Sequence, residues 1–317
     1  MDRTLLDPDL RPQTSDLRLK SFCSLRSVVS GLLSVIRYRF LLFAGIFPYI
    51  LGSVIAYQAR GDFSFLYFSI GFVGIALTLV GVEVLNEHFD HEKGGDRAFM
   101  ESKPEVPKHY LKIGAIFFLL AFFIALYLTA ARGWPIIIFA ISGALAAIFY
   151  VASPIQWSYR GLGEFMIFLS YGPLMTVGSY YLQAQRLDYA PLLASLVPGF
   201  LVLGLALVNE IPDYYGDRLV GKKNLVVRMG RKRTVTVYGI ITSLSFVVVI
   251  LGFYFKEFPA FSLLILLAVP LLYRSFSTAR EHYDSPKSFL PAIRGTILLY
   301  LVVLSLMTVS YVADRWI

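Results

Sequence analysis

The chain has 317 residues, of which 57% are hydrophobic and 16% are charged, with a net charge of +8. A soluble globular domain is about 45–50% apolar and about 25% charged, so this composition excludes an ordinary soluble protein. Cys23 is the only cysteine, which excludes disulfide bonds within the chain.

The hydrophobic residues form long blocks separated by short polar stretches, which is typical of membrane proteins. Blocks of about 20 residues are long enough to cross a hydrocarbon core of ~30 Å as helices. The sequence therefore predicts an all-α integral membrane bundle of nine transmembrane helices in a domain over 36–317, preceded by a cytoplasmic or interfacial segment over 1–35. The predicted spans are 36–57, 64–86, 110–131, 134–152, 163–184, 188–210, 234–255, 258–279 and 289–312.

The basic residues predict how the helices are oriented. With nine spans, 24 of the 29 lysines and arginines fall in segments on one side of the membrane. Because basic loops stay on the cytoplasmic side, we predict a cytoplasmic N-terminus, an external C-terminus and a location in the cell inner membrane. This placement also explains the net positive charge without a nucleic-acid partner.

Two polar loops, both predicted to be cytoplasmic, follow the second and the sixth span. The first begins with NEHFD at position 86 and the second with NEIPD at position 209. Both therefore start with Asn-Glu-x-x-Asp at the same place in two helical halves. A repeat of this kind is typical of membrane proteins whose site lies between the halves.

In the first loop, Asn86 and Asp90 are four residues apart, which places them on one face of a helix. Asp96 follows after two glycines, which allow the chain to turn back.

In the second loop, Asp213 and Asp217 continue the four-residue step that begins at Asn209. Pro212 predicts a kink in this helix, because proline removes a backbone donor.

The four aspartates of these loops, Asp90, Asp96, Asp213 and Asp217, are the predicted ligands of Mg²⁺ and the predicted catalytic residues. Clustered carboxylates repel one another, and burying them without partners is costly. Mg²⁺ prefers such oxygen ligands and bridges to the phosphates of a substrate. The sequence therefore predicts a Mg²⁺-bound diphosphate at this end of the bundle.

Other polar residues near the loops complete the predicted site. Glu83 lies one turn inside Asn86 and is either a base or a residue that orients Asn86. Glu164, at the start of the fifth span, is interpreted as a complement to a helix N-terminus. The predicted diphosphate-binding residues are Asn86, Asn209, Arg160, Lys222 and Arg228.

Together these loops resemble the two Asp-rich motifs of the UbiA superfamily of intramembrane prenyltransferases, and the resemblance extends over nearly the whole chain. NEHFDHEKGGD is similar to the first motif, and DYYGDRLVGKKNLVVRMG is similar to the second. The resemblance implies nine helices and Mg²⁺-dependent transfer of a polyprenyl group from its diphosphate to an acceptor. Its implied partners are that diphosphate, a small aromatic acceptor and the lipid bilayer, with no obligate protein partner evident.

Within the superfamily, the chain is most similar to the 1,4-dihydroxy-2-naphthoate branch of menaquinone synthesis. The six-residue step from Asp90 to Asp96 and the segment SPIQWSYRGLGE over 153–164 carry this resemblance, whereas Asn224 replaces a usual threonine. The branch implies attack by the ring carbon that bears the carboxylate, with loss of CO₂. A dry cavity would protect the allylic cation, and aromatic faces would stabilise it. Candidate aromatic residues are Tyr150, Tyr171 and Tyr180.

Two alternatives stay open. One is another UbiA-type enzyme that acts on 4-hydroxybenzoate, on a haem or chlorophyll precursor, or on a glycerol phosphate ether. The other is a multi-pass transporter, which the near absence of acids within the spans disfavours. The sequence predicts neither the prenyl chain length nor the oligomeric state.

Overall fold

The computed structural model describes residues 44–93 and 109–316, and it describes only the backbone of residues 90–93. Within these ranges, every regular element is a helix and no strand is present. The α-helices are α1 (Ile46–Arg60), α2 (Phe65–Lys93), α3 (Tyr110–Arg132), α4 (Pro135–Val151), α5 (Trp157–Arg160), α6 (Gly163–Leu169), α7 (Met175–Ala184), α8 (Tyr189–Glu210), α9 (Tyr214–Leu219), α10 (Leu225–Met229), α11 (Arg231–Tyr254), α12 (Val269–His282) and α13 (Pro286–Trp316). A π-helical turn (Ser170–Leu174) joins α6 to α7, and a 3-10 segment (Ala260–Ala268) leads into α12.

Six helical segments of the described chain are long and apolar enough to cross a membrane. They are Phe65–Phe89, Tyr110–Arg132, Tyr189–Glu210, Arg231–Tyr254, Ala260–His282 and Pro286–Trp316. Helix α4 is shorter, with 17 residues, and the predicted fifth span is helical but contains the π-helical turn. The chain is thus an all-helical, multi-pass membrane protein, and the count of nine spans stays a prediction, as does the domain boundary at residue 36.

Side-chain contacts between helix ends define the two ends of the bundle. The backbone N–H of Leu225, which follows α8, donates to the Glu164 carboxylate at the start of α6. At the other end, Gln183 in the last turn of α7 bonds to Ser64, just before α2. Helices α2 and α8 therefore finish at the same end, which we call the motif end. The other, where α3 and α7 finish, is the opposite end.

Helix α8 is the centre of the bundle, because its side chains are buried along nearly its whole length. It packs against α6, α11 and α13. By contrast, α3 and α4 expose many of their apolar side chains, as lipid-facing helices do. Large exposed aromatic residues collect at the opposite end, where Trp and Tyr commonly mark a membrane interface. They are Trp134, Tyr189, Tyr254 and Trp316.

Candidate active site

The second motif folds as a helix end, a turn and a short helix. Helix α8 ends at Glu210, and α9 begins at Tyr214 after a turn that contains Pro212. The sequence predicts a kink at this proline, and in the structure the helix ends there. The N–H of Asp217 donates to the carbonyl oxygen of Asp213 at 2.8 Å, so these two aspartates lie one turn apart.

Asp217 is a buried carboxylate, with 3% of its surface exposed. Its Oδ1 lies 3.2 Å from Nζ of Lys222, and its Oδ2 accepts a hydrogen bond of 2.7 Å from Nδ2 of Asn224. Glu210 also interacts electrostatically with Asp217 and Lys222. Asp217 is thus paired and hydrogen-bonded, as a buried charge must be to avoid a large desolvation cost.

Arg160 and Arg228, predicted to bind diphosphate, are exposed and bind main-chain carbonyls. Nη2 of Arg160 donates to the Pro154 oxygen at 2.9 Å. Arg228 donates through Nε to the Lys223 oxygen at 2.8 Å and through Nη2 to the Arg160 oxygen at 2.6 Å. A guanidinium has five N–H donors, so each arginine retains donors for an anion.

Two residues of the first motif region lie on the inside of α2. Glu83 and Asn86 are buried, with 3% and 8% exposed, and both line the main cavity. Asp90 lies in the last turn of α2, but its side chain and the whole of Asp96 lie outside the described residues. Asn209 is half-buried in the last turn of α8.

The donors at the motif end fit Mg²⁺ by their chemistry. Oδ1 of Asn86 is buried, and no described group donates a hydrogen bond to it. A buried oxygen of this kind commonly faces water or an ion. Together with Asp213 and Asp217 it supplies the oxygen ligands that Mg²⁺ prefers. Among the described side chains, no group of three His, Cys, Asp or Glu forms a metal cluster, so convergence of the four aspartates stays a prediction.

A cavity of about 440 Å³ lies between α2, α3, α4 and the segment from α6 to α7. Glu83 and Asn86 line it towards the motif end, whereas Tyr49, Gly71 and Leu182 line it towards the opposite end. Gly71 and Asn86 are about four turns apart on α2, so the cavity extends about 22 Å along the bundle. Most of its remaining wall is apolar.

Several aromatic side chains belong to the cavity wall. Ser170, Tyr171 and Leu174 of the π-helical turn line it together, and the turn therefore presents two successive residues to the same space. Of the three candidate tyrosines, Tyr150 and Tyr171 line the cavity, whereas Tyr180 does not, and its hydroxyl bonds to Asp188 at the opposite end. The lining aromatic residues are Tyr49, Phe118, Phe122, Phe139, Tyr150 and Tyr171.

Hydrogen bonds join α3, α7 and the start of α2 at the opposite end. Arg132 donates through Nε to the Leu182 oxygen at 2.9 Å and through Nη2 to the Gln183 oxygen at 2.7 Å. These carbonyls belong to the last turn of α7, where carbonyl groups have no N–H donor within the helix. The Gln183 side chain also accepts from the Ser64 N–H at 3.0 Å and donates to its carbonyl at 3.2 Å.

Glu164 has a more specific place than the sequence indicates. It is 1% exposed and lies in the first turn of α6, as expected. However, the N–H group it accepts from belongs to Leu225, the first residue of α10. Asn224, seen in the sequence only as a departure from a family pattern, is a partner of Asp217. No local spacing indicates either contact.

Comparison with known proteins gives a match over most of the chain. The UbiA prenyltransferase family model matches residues 45–311. A 2-carboxy-1,4-naphthoquinone phytyltransferase of Synechocystis is 23% identical over 244 residues, or 76% of this chain and 80% of that protein. A 1,4-dihydroxy-2-naphthoate octaprenyltransferase of Bacillus subtilis is 26% identical over 204 residues, or 61% of this chain and 64% of that protein.

Solved structures share the fold at lower identity. A UbiA homologue from Archaeoglobus fulgidus, solved with GPP and Mg²⁺, superposes with a TM-score of 0.62 at 15% identity. The superposition covers 90% of this chain and 98% of the other.

Proposed function

This chain belongs to the UbiA prenyltransferase family, and we propose that it transfers a polyprenyl group from polyprenyl diphosphate to 1,4-dihydroxy-2-naphthoate in menaquinone biosynthesis. It is a membrane-embedded prenyltransferase, which sets the transporter alternative aside. Relatives named for naphthoate substrates support this acceptor. Other acceptors of the family remain the alternative.

The observation that carries the proposal is the polarity of the cavity. Its wall is apolar along about 22 Å, and the buried polar groups Glu83 and Asn86 lie towards one end. A polyprenyl diphosphate has the same division, because a long hydrocarbon tail ends in a highly charged head. We infer that the tail occupies the cavity and that the diphosphate lies at the motif end.

Residues of the chain would hold the head group in two ways. Asp90, Asp96, Asp213 and Asp217 would bind Mg²⁺, with Asn86 and Asn209 completing the ligands or orienting bound waters. Arg160, Lys222 and Arg228 would donate to the diphosphate oxygens. When bound, Mg²⁺ would supply positive charge that stabilises the leaving diphosphate.

The proposed reaction balances without an oxidant or reductant. The C–O bond of the prenyl diphosphate breaks, and its electron pair leaves with diphosphate. The naphthoate ring carbon that bears the carboxylate then bonds to the allylic carbon. CO₂ departs, and the electron pair of the broken C–C bond returns to the ring. The cavity wall would keep water from the cation, which water would convert to an alcohol.

We also propose that the motif end faces the cytoplasm in the inner membrane, with the C-terminus outside. The charge split of 24 to 5 supports this orientation. Reporter fusions after Asp96 and after Lys222 should report cytoplasm, and a fusion at Ile317 should report the outer side. Finding the 86–109 and 209–233 loops on opposite sides would contradict a shared site.

The acceptor can be tested with purified protein, Mg²⁺, labelled polyprenyl diphosphate and a panel of aromatic acceptors. We expect 1,4-dihydroxy-2-naphthoate to be prenylated with release of CO₂. Its kcat/KM should exceed that of 4-hydroxybenzoate at least about tenfold, or ~1.4 kcal/mol, because the two acceptors differ in ring count and in the fate of the carboxylate. Higher kcat/KM for 4-hydroxybenzoate would contradict the acceptor while leaving the prenyltransferase activity intact.

A further inference from the structure

At the motif end, hydrogen bonds join two segments that are far apart in the sequence. One is the turn from α5 into α6, and the other is the loop from α9 into α10. The buried Glu164 carboxylate accepts from the N–H of Leu225, 61 positions along the chain. Because both the carboxylate and the end of the loop are held by packing, this hydrogen bond fixes the start of α10 relative to the start of α6.

Asn224 immediately precedes Leu225, and both its side-chain oxygen and its side-chain nitrogen form hydrogen bonds. Oδ1 accepts from the Val227 N–H at 2.8 Å and so caps α10. Nδ2 donates to Oδ2 of Asp217 at 2.7 Å. Asn224 is only 3% exposed, so the packed protein holds its amide in one orientation.

A second contact fixes the same two segments from the exposed side. Arg228 donates to the carbonyl oxygens of both Arg160 and Lys223. Gly161 lies beside the Arg228 guanidinium, where a Cβ would lie 2.5 Å from Cζ of Arg228. Its backbone φ of +74° also favours glycine. The loop that carries Asn224 is therefore held on both of its sides.

We propose that Asn224 and Glu164 are positioning residues that fix the orientation of the Asp217 carboxylate for the Mg²⁺-bound diphosphate. The proposal rests on the proposed function, and neither residue is placed on the reacting atoms. The amide of Asn224 fixes Oδ2 of Asp217 without adding positive charge, while Oδ1 is paired with Lys222. A second cation in place of the amide would weaken the attraction of this carboxylate for Mg²⁺.

The sharpest variant is Asn224→Asp. It keeps the shape and the helix cap, since aspartate caps as well as asparagine. However, it replaces the amide donor with an oxygen that repels Asp217. We expect a lower melting temperature, because two buried acids then repel each other. Below that temperature we expect at least tenfold weaker binding of inorganic pyrophosphate in the presence of Mg²⁺ by calorimetry, and a raised Mg²⁺ requirement for turnover.

Glu164 supplies a second, independent test through a conservative pair. Glu164→Gln keeps an oxygen that can accept from Leu225, so pyrophosphate binding should stay within about threefold of wild type. Glu164→Ala loses the acceptor and should weaken that binding at least tenfold. Glu281, exposed on α12, serves as the matched control. Its substitution by Gln or Ala should leave binding unchanged.

The outcomes separate this inference from the proposed function. A wild-type protein that neither binds pyrophosphate with Mg²⁺ nor releases diphosphate would contradict the proposed function. A wild type that binds it, with Asn224→Asp binding equally well, would overturn the positioning role alone. Equal losses in Glu164→Gln and Glu164→Ala would overturn the part assigned to the Leu225 hydrogen bond.

Discussion

Both ends of the bundle carry an arginine that donates to main-chain carbonyls. Arg132, at the end of α3, binds two carbonyls of a single helix end, that of α7. Arg228 instead binds carbonyls from two separate segments and joins them beside Asp217. The same interaction thus satisfies a helix end at one end of the bundle and joins two segments of the proposed site at the other.

The acidic residues at the two ends differ in how far their side chains are exposed. At the opposite end, the side chain of Asp62 is 76% exposed and pairs with Arg60, and that of Asp188 is 35% exposed and pairs with Arg186. At the motif end, the Asp217 side chain is only 4% exposed. Exposed pairs contribute little to stability, whereas a buried acid that a fold retains often serves its function. The comparison therefore supports our proposal that the chemistry takes place at the motif end.

The largest expected effect is the loss of one charge at the motif end. Asp213→Asn keeps size and polarity but removes a predicted Mg²⁺ ligand. We expect turnover to fall at least about a hundredfold, or ~2.7 kcal/mol of transition-state stabilisation. Asp188→Asn, the matched change at the opposite end, should retain at least half of the turnover. Saturating assays of both variants test this, and normal turnover in Asp213→Asn would refute the metal–diphosphate mechanism.

A smaller effect is expected from Arg228→Ala. This change removes both the link between two segments and a donor for the diphosphate. We expect kcat/KM for the prenyl diphosphate to fall about tenfold, equivalent to ~1.4 kcal/mol. Initial rates at varied diphosphate concentration measure this. A value equal to wild type would remove Arg228 from the site.

The smallest effect on turnover is expected from Arg132→Ala. It leaves two carbonyls at the end of α7 without their donor, which should cost about 2 kcal/mol of stability. We expect a lower melting temperature in detergent, with turnover at low temperature within about twofold of wild type. Arg186→Ala, an exposed arginine at the same end, is the control and should leave the melting temperature nearly unchanged. A large turnover loss in Arg132→Ala at unchanged stability would contradict the division between the two ends.

Local patterns predicted a large part of this arrangement. The four-residue steps correctly placed Asp213 and Asp217 one turn apart, and apolar blocks correctly gave an all-helical membrane protein. Contacts between distant segments could not be predicted, because nothing in the residue spacing relates Glu164 to Leu225 or Arg228 to Arg160. The sequence could not separate Tyr180 from the tyrosines that line the cavity for a similar reason, since periodicity does not reveal which helix faces enclose a cavity.

The hydrogen bonds at the opposite end also matter for the membrane around the protein. A cell membrane stores energy in ion gradients, at ~2.3 kcal/mol per elementary charge for each 100 mV. Arg132 and Gln183 satisfy backbone groups of α7 and of Ser64 within the protein. A backbone group that is paired in this way needs no water molecule, so these contacts lessen the tendency of water, and of the ions that it carries, to enter beside the cavity.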